Sequence, residues 1–212
     1  MGVLKPTIDD IAAVIVTRGD VDLSCILETL PYPEIVVWNN STRPFNCGVL
    51  GRYLAILETT KPIIYTQDDD CIFREHEALL AAYVDGEIIG NMPASHWLGH
   101  PGYTLLGWGS LMRRDLPWRS IEHWLRQYPL EGHDVRQLPL DVVVAVLTPS
   151  QRVDLGHEEM PWKGDVHRTH RQAGFQERID DFYHRAQALR QRVESQGHGY
   201  PYAVSQEDRI SD

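Results

Sequence analysis

Three consecutive carboxylates, Asp68, Asp69 and Asp70, follow the apolar run at residues 62–65 with only Thr66 and Gln67 between. Adjacent like charges repel, and partial burial makes each harder to ionise. A divalent cation removes that conflict. Mg²⁺ and Mn²⁺ prefer carboxylate oxygen and commonly share such a site with the phosphates of a substrate. On an extended backbone Asp68 and Asp70 project to the same side. One is then free for the metal and the other for the metal or a ribose hydroxyl. The plain alternative is an acidic surface turn. What favours a site is the context of the triplet at the end of a buried strand.

That context comes from the alternation of elements in the first half of the chain. Residues 11–16 (IAAVIV) form a short, β-branched apolar run, which predicts a buried strand ending in Thr17-Arg18-Gly19-Asp20. A helix is expected over 23–30, stopped by Pro31 and Pro33. Residues 34–38 (EIVVW) read as a second strand running into Asn39-Asn40-Ser41. A helix over 48–60 precedes the third strand at 62–65. Strand, helix, strand, helix, strand predicts a parallel sheet with helices on its faces. Ligands of such sheets bind beyond the carboxyl ends of the strands. The polar segments 17–20, 39–41 and 67–70 are therefore expected to meet in one crevice. Further along, a helix is expected at 72–84, a short strand at 87–90 and a hairpin within 91–109. Helices follow at 120–128, 140–147 and 172–194. No linker divides the chain, so one domain over 1–195 is expected, with a loose polar tail over 196–212.

With these strands in place, the run IIYTQDDDCIF at 63–73 resembles the DxD strand of GT-A glycosyltransferases, and AVIVTRGD at 13–20 and EIVVWNNS at 34–41 resemble their first two strands. The resemblance covers roughly residues 10–165. It implies a single-domain α/β, Rossmann-like GT-A fold with a mostly parallel central sheet, flanking helices and a C-terminal helix. It also implies a divalent metal cofactor, Mn²⁺ or Mg²⁺, and a nucleotide-sugar donor, with UDP-sugars the usual choice. Thr17 and Arg18 would line the nucleotide pocket, and Asn39 or Asn40 would hold base or ribose. Arg52 would reach base or phosphate. The triplet would complete the donor site, with Asp68 and Asp69 on the donor and Asp70 as a direct metal ligand. The segment at 107–114 (GWGSLMRR) resembles the glycine-rich acceptor side, where Trp108, Gly109 and Arg113 are the candidates. Trp108 would stack on a sugar, although a core tryptophan reads equally well.

Inverting members of the family place a base at the start of a helix after that segment, usually as Glu-Asp. Leu140-Asp141 stands there without the glutamate. Asp141 is either that base or a helix N-terminal residue favourable to the dipole; Asp134 is the other candidate. The retaining, exostosin-like members also carry a DDD run, so both stereochemical courses stay open. His157 matches the position of a further metal ligand, with His167 behind it. His157-Glu158 does not open a zinc-protease motif, because Pro161 stands where the second histidine belongs.

Composition narrows the rest. The 212 residues carry a formal net charge of −10, which disfavours unaided binding to a phosphate backbone. Two small basic clusters, at 113–119 and 163–171, read as solvated faces. Three cysteines with no CxxC spacing argue against a disulfide framework or structural zinc. No run approaches the roughly 20 apolar residues of a spanning helix. No leader pattern is visible, so a cytoplasmic setting is expected. The acceptor is left open between a protein, a small glycan and a modified DNA base. Two rivals stand beside the glycosyltransferase: a nucleotidyltransferase that makes nucleotide sugars, and a non-catalytic nucleotide-sugar-binding module.

Overall fold

The computed structural model describes residues 6–96, 103–129, 134–160 and 173–195. In chain order the elements are β1 (Ile11–Thr17), α1 (Ser24–Leu27), β2 (Glu34–Asn39), α2 (Leu50–Ile56), β3 (Ile63–Asp68), β4 (Cys71–Ile72) and α3 (His76–Ala81). They continue with β5 (Ile88–Asn91), β6 (Trp108–Arg113), α4 (Leu116–Gln127), α5 (Leu140–Leu147), β7 (Ser150–Val153), β8 (Glu158–Glu159) and α6 (Phe175–Ser195). Six strands form one sheet in the order β2-β1-β3-β6-β5-β7. β1 pairs in parallel with β2 and β3, and β5 in parallel with β7; β6 runs antiparallel to both of its neighbours. The alternating pattern predicts the parallel β2-β1-β3 part of this sheet, and the mostly parallel whole with flanking helices and a C-terminal helix is what the resemblance implies.

Every residue of β1 is buried, as a central strand covered on both faces requires. Ala12, Val14 and Val16 face one core with α2, α4, α5 and α6, while Ile11, Ala13 and Ile15 face the other with α1 and α3. α5 (LDVVVAVL) is buried throughout except at Asp141 and packs between α4 and α6. Its β-branched content disfavours a helix by propensity alone, and burial on several sides overrides that preference.

Several boundaries differ from expectation. β3 runs on through Gln67 and Asp68, because β1 and β6 pair with it on both sides there. The helix expected over 72–84 shrinks to His76–Ala81, since Cys71 and Ile72 instead pair with Glu158 and Glu159. Of the stretch 91–109 expected to hold a hairpin, the described part shows a turn of 3₁₀ helix at Ala94–His96 and the start of β6, which pairs antiparallel with β5. β7 was not legible, being short and polar; its parallel pairing to β5 creates it. The tail expected over 196–212 and His167 lie outside the described residues. Cys25, Cys47 and Cys71 are free thiols. No helix among the described residues is long and apolar enough to cross a membrane.

Candidate functional site

The parallel strands β1, β2 and β3 end at the same edge of the sheet, and their polar ends touch. The Thr17 hydroxyl donates to Asp69 Oδ2 at 2.7 Å and accepts from the Gly19 amide at 3.0 Å. Asn40 lies across the end of β1, with Nδ2 donating to the Thr17 and Gly48 carbonyls. Its Oδ1 accepts from Trp38 Nε1 and the Cys47 amide. Both ends of the Asn40 amide are thus used in clamping the loop, and Asn40 is buried. Asn39 folds its own turn, with Oδ1 accepting from the Ser41 amide and hydroxyl. Arg18 sits at the rim, paired with Asp20 at 2.7 Å.

The deepest feature is Arg52, whose side chain is wholly buried on α2. Its Nη2 donates to Asp68 Oδ1 and its Nη1 to Asp141 Oδ2. The neighbouring Tyr53 donates its hydroxyl to Asp141 Oδ1. Asp68 and Asp141 keep 39% and 27% side-chain exposure, so both carboxylates link the buried cation to solvent. Burial works against the Arg52 charge, but Asp141 and Asp68 outweigh it and raise its pKa. Burial and then Asp141 raise the Tyr53 pKa far above the usual phenol value, which keeps it a neutral donor. Asp68 is pushed up to about 7, first by burial and then, against the opposing pull of Arg52, by Asp70, Asp141 and Asp69.

β6 enters this edge antiparallel, so its first residues arrive beside the last residues of β3. The Asp68 amide donates to the Gly107 carbonyl at 2.7 Å. A Cβ at Gly107 would lie 2.0 Å from Asp68 Oδ2, so only glycine lets the carboxylate pass. Gly109, at φ +95°, is the extra residue of a bulge between the Thr66–Ser110 and Gln67–Trp108 pairs. The Trp108 ring stacks on His157 at 4.5 Å and meets His96 edge-on at 4.8 Å. Arg113 is not brought to this cluster. It ends β6 opposite Ile63, at the far edge of the sheet, five strand steps or about 17 Å from Trp108. There it pairs with Asp115 at 2.8 Å, which corrects its expected place on the acceptor side. The antiparallel course of β6 is the reason. Asp134 is forked with Arg136 at 2.6 Å on a surface turn.

His157 and the triplet are linked through backbone. The Met160 amide donates to the Asp70 carbonyl at 3.0 Å, and β8 pairs with β4 just beyond the triplet. Asn91, fully buried at the end of β5, holds the loop before His157: its Nδ2 donates to the Trp108 and Gly156 carbonyls and its Oδ1 accepts from the Leu155 amide. Neither Asn91 nor Tyr53 stood out as a site residue. A polar residue just after the strand expected at 87–90 is the only signal for Asn91, and Tyr53 has none beyond adjacency to Arg52. As a metal site, Asp70 and Asp68 offer the hard oxygen donors that Mg²⁺ or Mn²⁺ prefer. No three His, Cys, Asp or Glu side chains among the described residues are disposed to hold a cation unaided.

No family model matches the chain, and no curated protein matches it. Among solved structures, it is similar to residues 1–349 of S. aureus TarS, at 10% identity and a TM-score of 0.47, covering 94% of this chain and 76% of that one. A second S. aureus TarS structure gives 12% identity and a TM-score of 0.46, with 94% and 46% covered. At that distance neither says which reaction this chain performs.

Proposed function

We propose that this chain is a metal-dependent glycosyltransferase that moves a sugar from a nucleotide-sugar donor to a hydroxyl acceptor. The observation that carries the reading is the meeting of the acidic triplet with its neighbours at this end of the sheet: Asp69 on Thr17 at the end of β1, and Asp68 sharing Arg52 of α2 with Asp141 of α5. Arg52 is wholly buried and spent on Asp68 and Asp141, so it does not reach a phosphate; the carboxylates at the carboxyl edge of the parallel sheet suit a cation and, through it, a nucleoside diphosphate better than any apolar ligand.

In this reading Asp70, with Asp68 beside it, would hold the cation through carboxylate oxygens. A bound cation supplies charge neutralisation for the departing diphosphate. Arg18 and the turn at Asn39 line the nucleoside end, while the Asn40 amide is spent on the loop. Trp108, stacked on His157 and met by His96, is the aromatic side chain nearest in kind to a sugar platform at this end of the sheet. Asp141 accepts the proton of the attacking hydroxyl, which predicts inversion at the anomeric carbon. UDP-sugars are the first donors to try.

The test is a thermal-shift screen of nucleotide sugars with and without Mn²⁺, followed by detection of released nucleoside diphosphate. A ligand bound only by the folded state raises Tm. We expect a Mn²⁺-dependent shift that Asp70→Ala abolishes. Pyrophosphate release from a nucleoside triphosphate and a sugar phosphate would point to a nucleotidyltransferase instead. A Mn²⁺-dependent shift with no turnover would point to a binding module.

A further inference from the structure

The clamp on Asp141 has a second member besides the arginine. Arg52 and Tyr53 are consecutive on α2, and consecutive helical side chains diverge by roughly 100°. Both nonetheless end on Asp141, one on each carboxylate oxygen, so the group is gripped from two directions. A carboxylate held by one donor can still swing about its terminal torsion, which is broad and roughly two-fold. Two donors at different angles remove that freedom. Each oxygen keeps further lone-pair capacity, and the 27% exposure of Asp141 leaves it accessible from solvent.

Tyr53 is fully buried among apolar neighbours, a setting that phenylalanine would fill. A buried phenol must find a partner, and this one uses a carboxylate at the site. α2 itself is fixed independently, since Trp118 Nε1 donates to the Tyr53 carbonyl at 3.2 Å. The hydroxyl is thus dispensable for packing and specific for Asp141. We propose that Tyr53 is a positioning residue: its hydroxyl sets the orientation in which Asp141 meets the acceptor hydroxyl. This rests on Asp141 being the base in the reading above.

The test is Tyr53→Phe, alone and combined with Asp141→Asn, using UDP-glucose and Mn²⁺ and reading released UDP. Tyr53→Phe should lower kcat roughly tenfold, a fraction of the 10²–10⁴ that a general base supplies, with donor KM within about twofold. In the Asp141→Asn background it should cost nothing further, because the two act as one unit. Equal loss in both backgrounds would overturn the role. A second measurement stands without turnover: crystal structures of the native protein and of Tyr53→Phe. Asp141 should hold one orientation in the first and rotate or split in the second. An unmoved carboxylate would overturn the proposal even if UDP-glucose is no donor. Wild-type turnover in Asp141→Asn would instead remove the base from the functional reading.

Discussion

Replacing Arg52 with methionine tests the central network. Methionine keeps most of the volume and the apolar stem but deletes the cation between Asp68 and Asp141. Removing one partner of a fully buried ion pair costs about 3–5 kcal/mol, largely because the other charge is stranded. Here the stranded groups are only partly buried, with 39% and 27% of their side chains exposed, so water recovers part of the loss. The guanidinium also leaves its own desolvation behind, and its Nε has no partner to lose. We therefore expect about 2–3 kcal/mol of destabilisation at pH 7. Urea unfolding by circular dichroism, with slopes compared between variants, measures it. Arg52→Lys should lie between, since an ammonium reaches one carboxylate where the planar fork reaches two. Protonation gives a second check. Asp68 already titrates high, and without Arg52 its charged form loses its one favourable neighbour. The penalty should therefore shrink as pH falls from 8 to 5.5 and Asp68 becomes neutral. A loss below about 0.5 kcal/mol, the range of inert surface changes, would refute the claim that this ion network holds the site together.

The remaining predictions concern neighbouring features. Gly107→Ala should displace the Asp68 carboxylate, weakening donor binding by calorimetry while the far-UV spectrum stays native; unchanged affinity would mean that Asp68 does not touch the donor. His76, buried among Tyr32, Tyr65 and Phe73 with Nδ1 3.0 Å from the Tyr32 hydroxyl, is lowered by burial to about 4. Its unfolded value is higher, so the unfolded chain binds more protons between about pH 6.5 and 4 and stability falls as pH drops through that window. From pH 7.5 to 4.5 His76 should account for about 2–3 kcal/mol of the lost stability. His76→Phe should flatten the urea-midpoint profile by that amount; a profile parallel to the native one would show that His76 is not responsible.

Local residue chemistry was enough for much of this. The runs IAAVIV, EIVVW and PIIY are short, apolar and β-branched, so they state their own buried strands, and the polar residues after them state where those strands end. Because parallel strands separated by helices must point the same way, the convergence of Thr17 and Asp69 followed from order alone. Arg52 and Asp141 were recognisable as candidates, but their union was not. They lie far apart in the chain, and only the folding of α2 and α5 onto the same core brings guanidinium and carboxylate together. The same is true of β4, whose two residues look helical until Glu158 and Glu159 offer them a ladder. Arg113 shows the converse. In sequence it stands five residues from Trp108, yet an antiparallel strand carries it to the opposite edge. Periodicity reports which face a side chain takes. The end of the sheet it occupies depends on strand direction, which is a property of the partners.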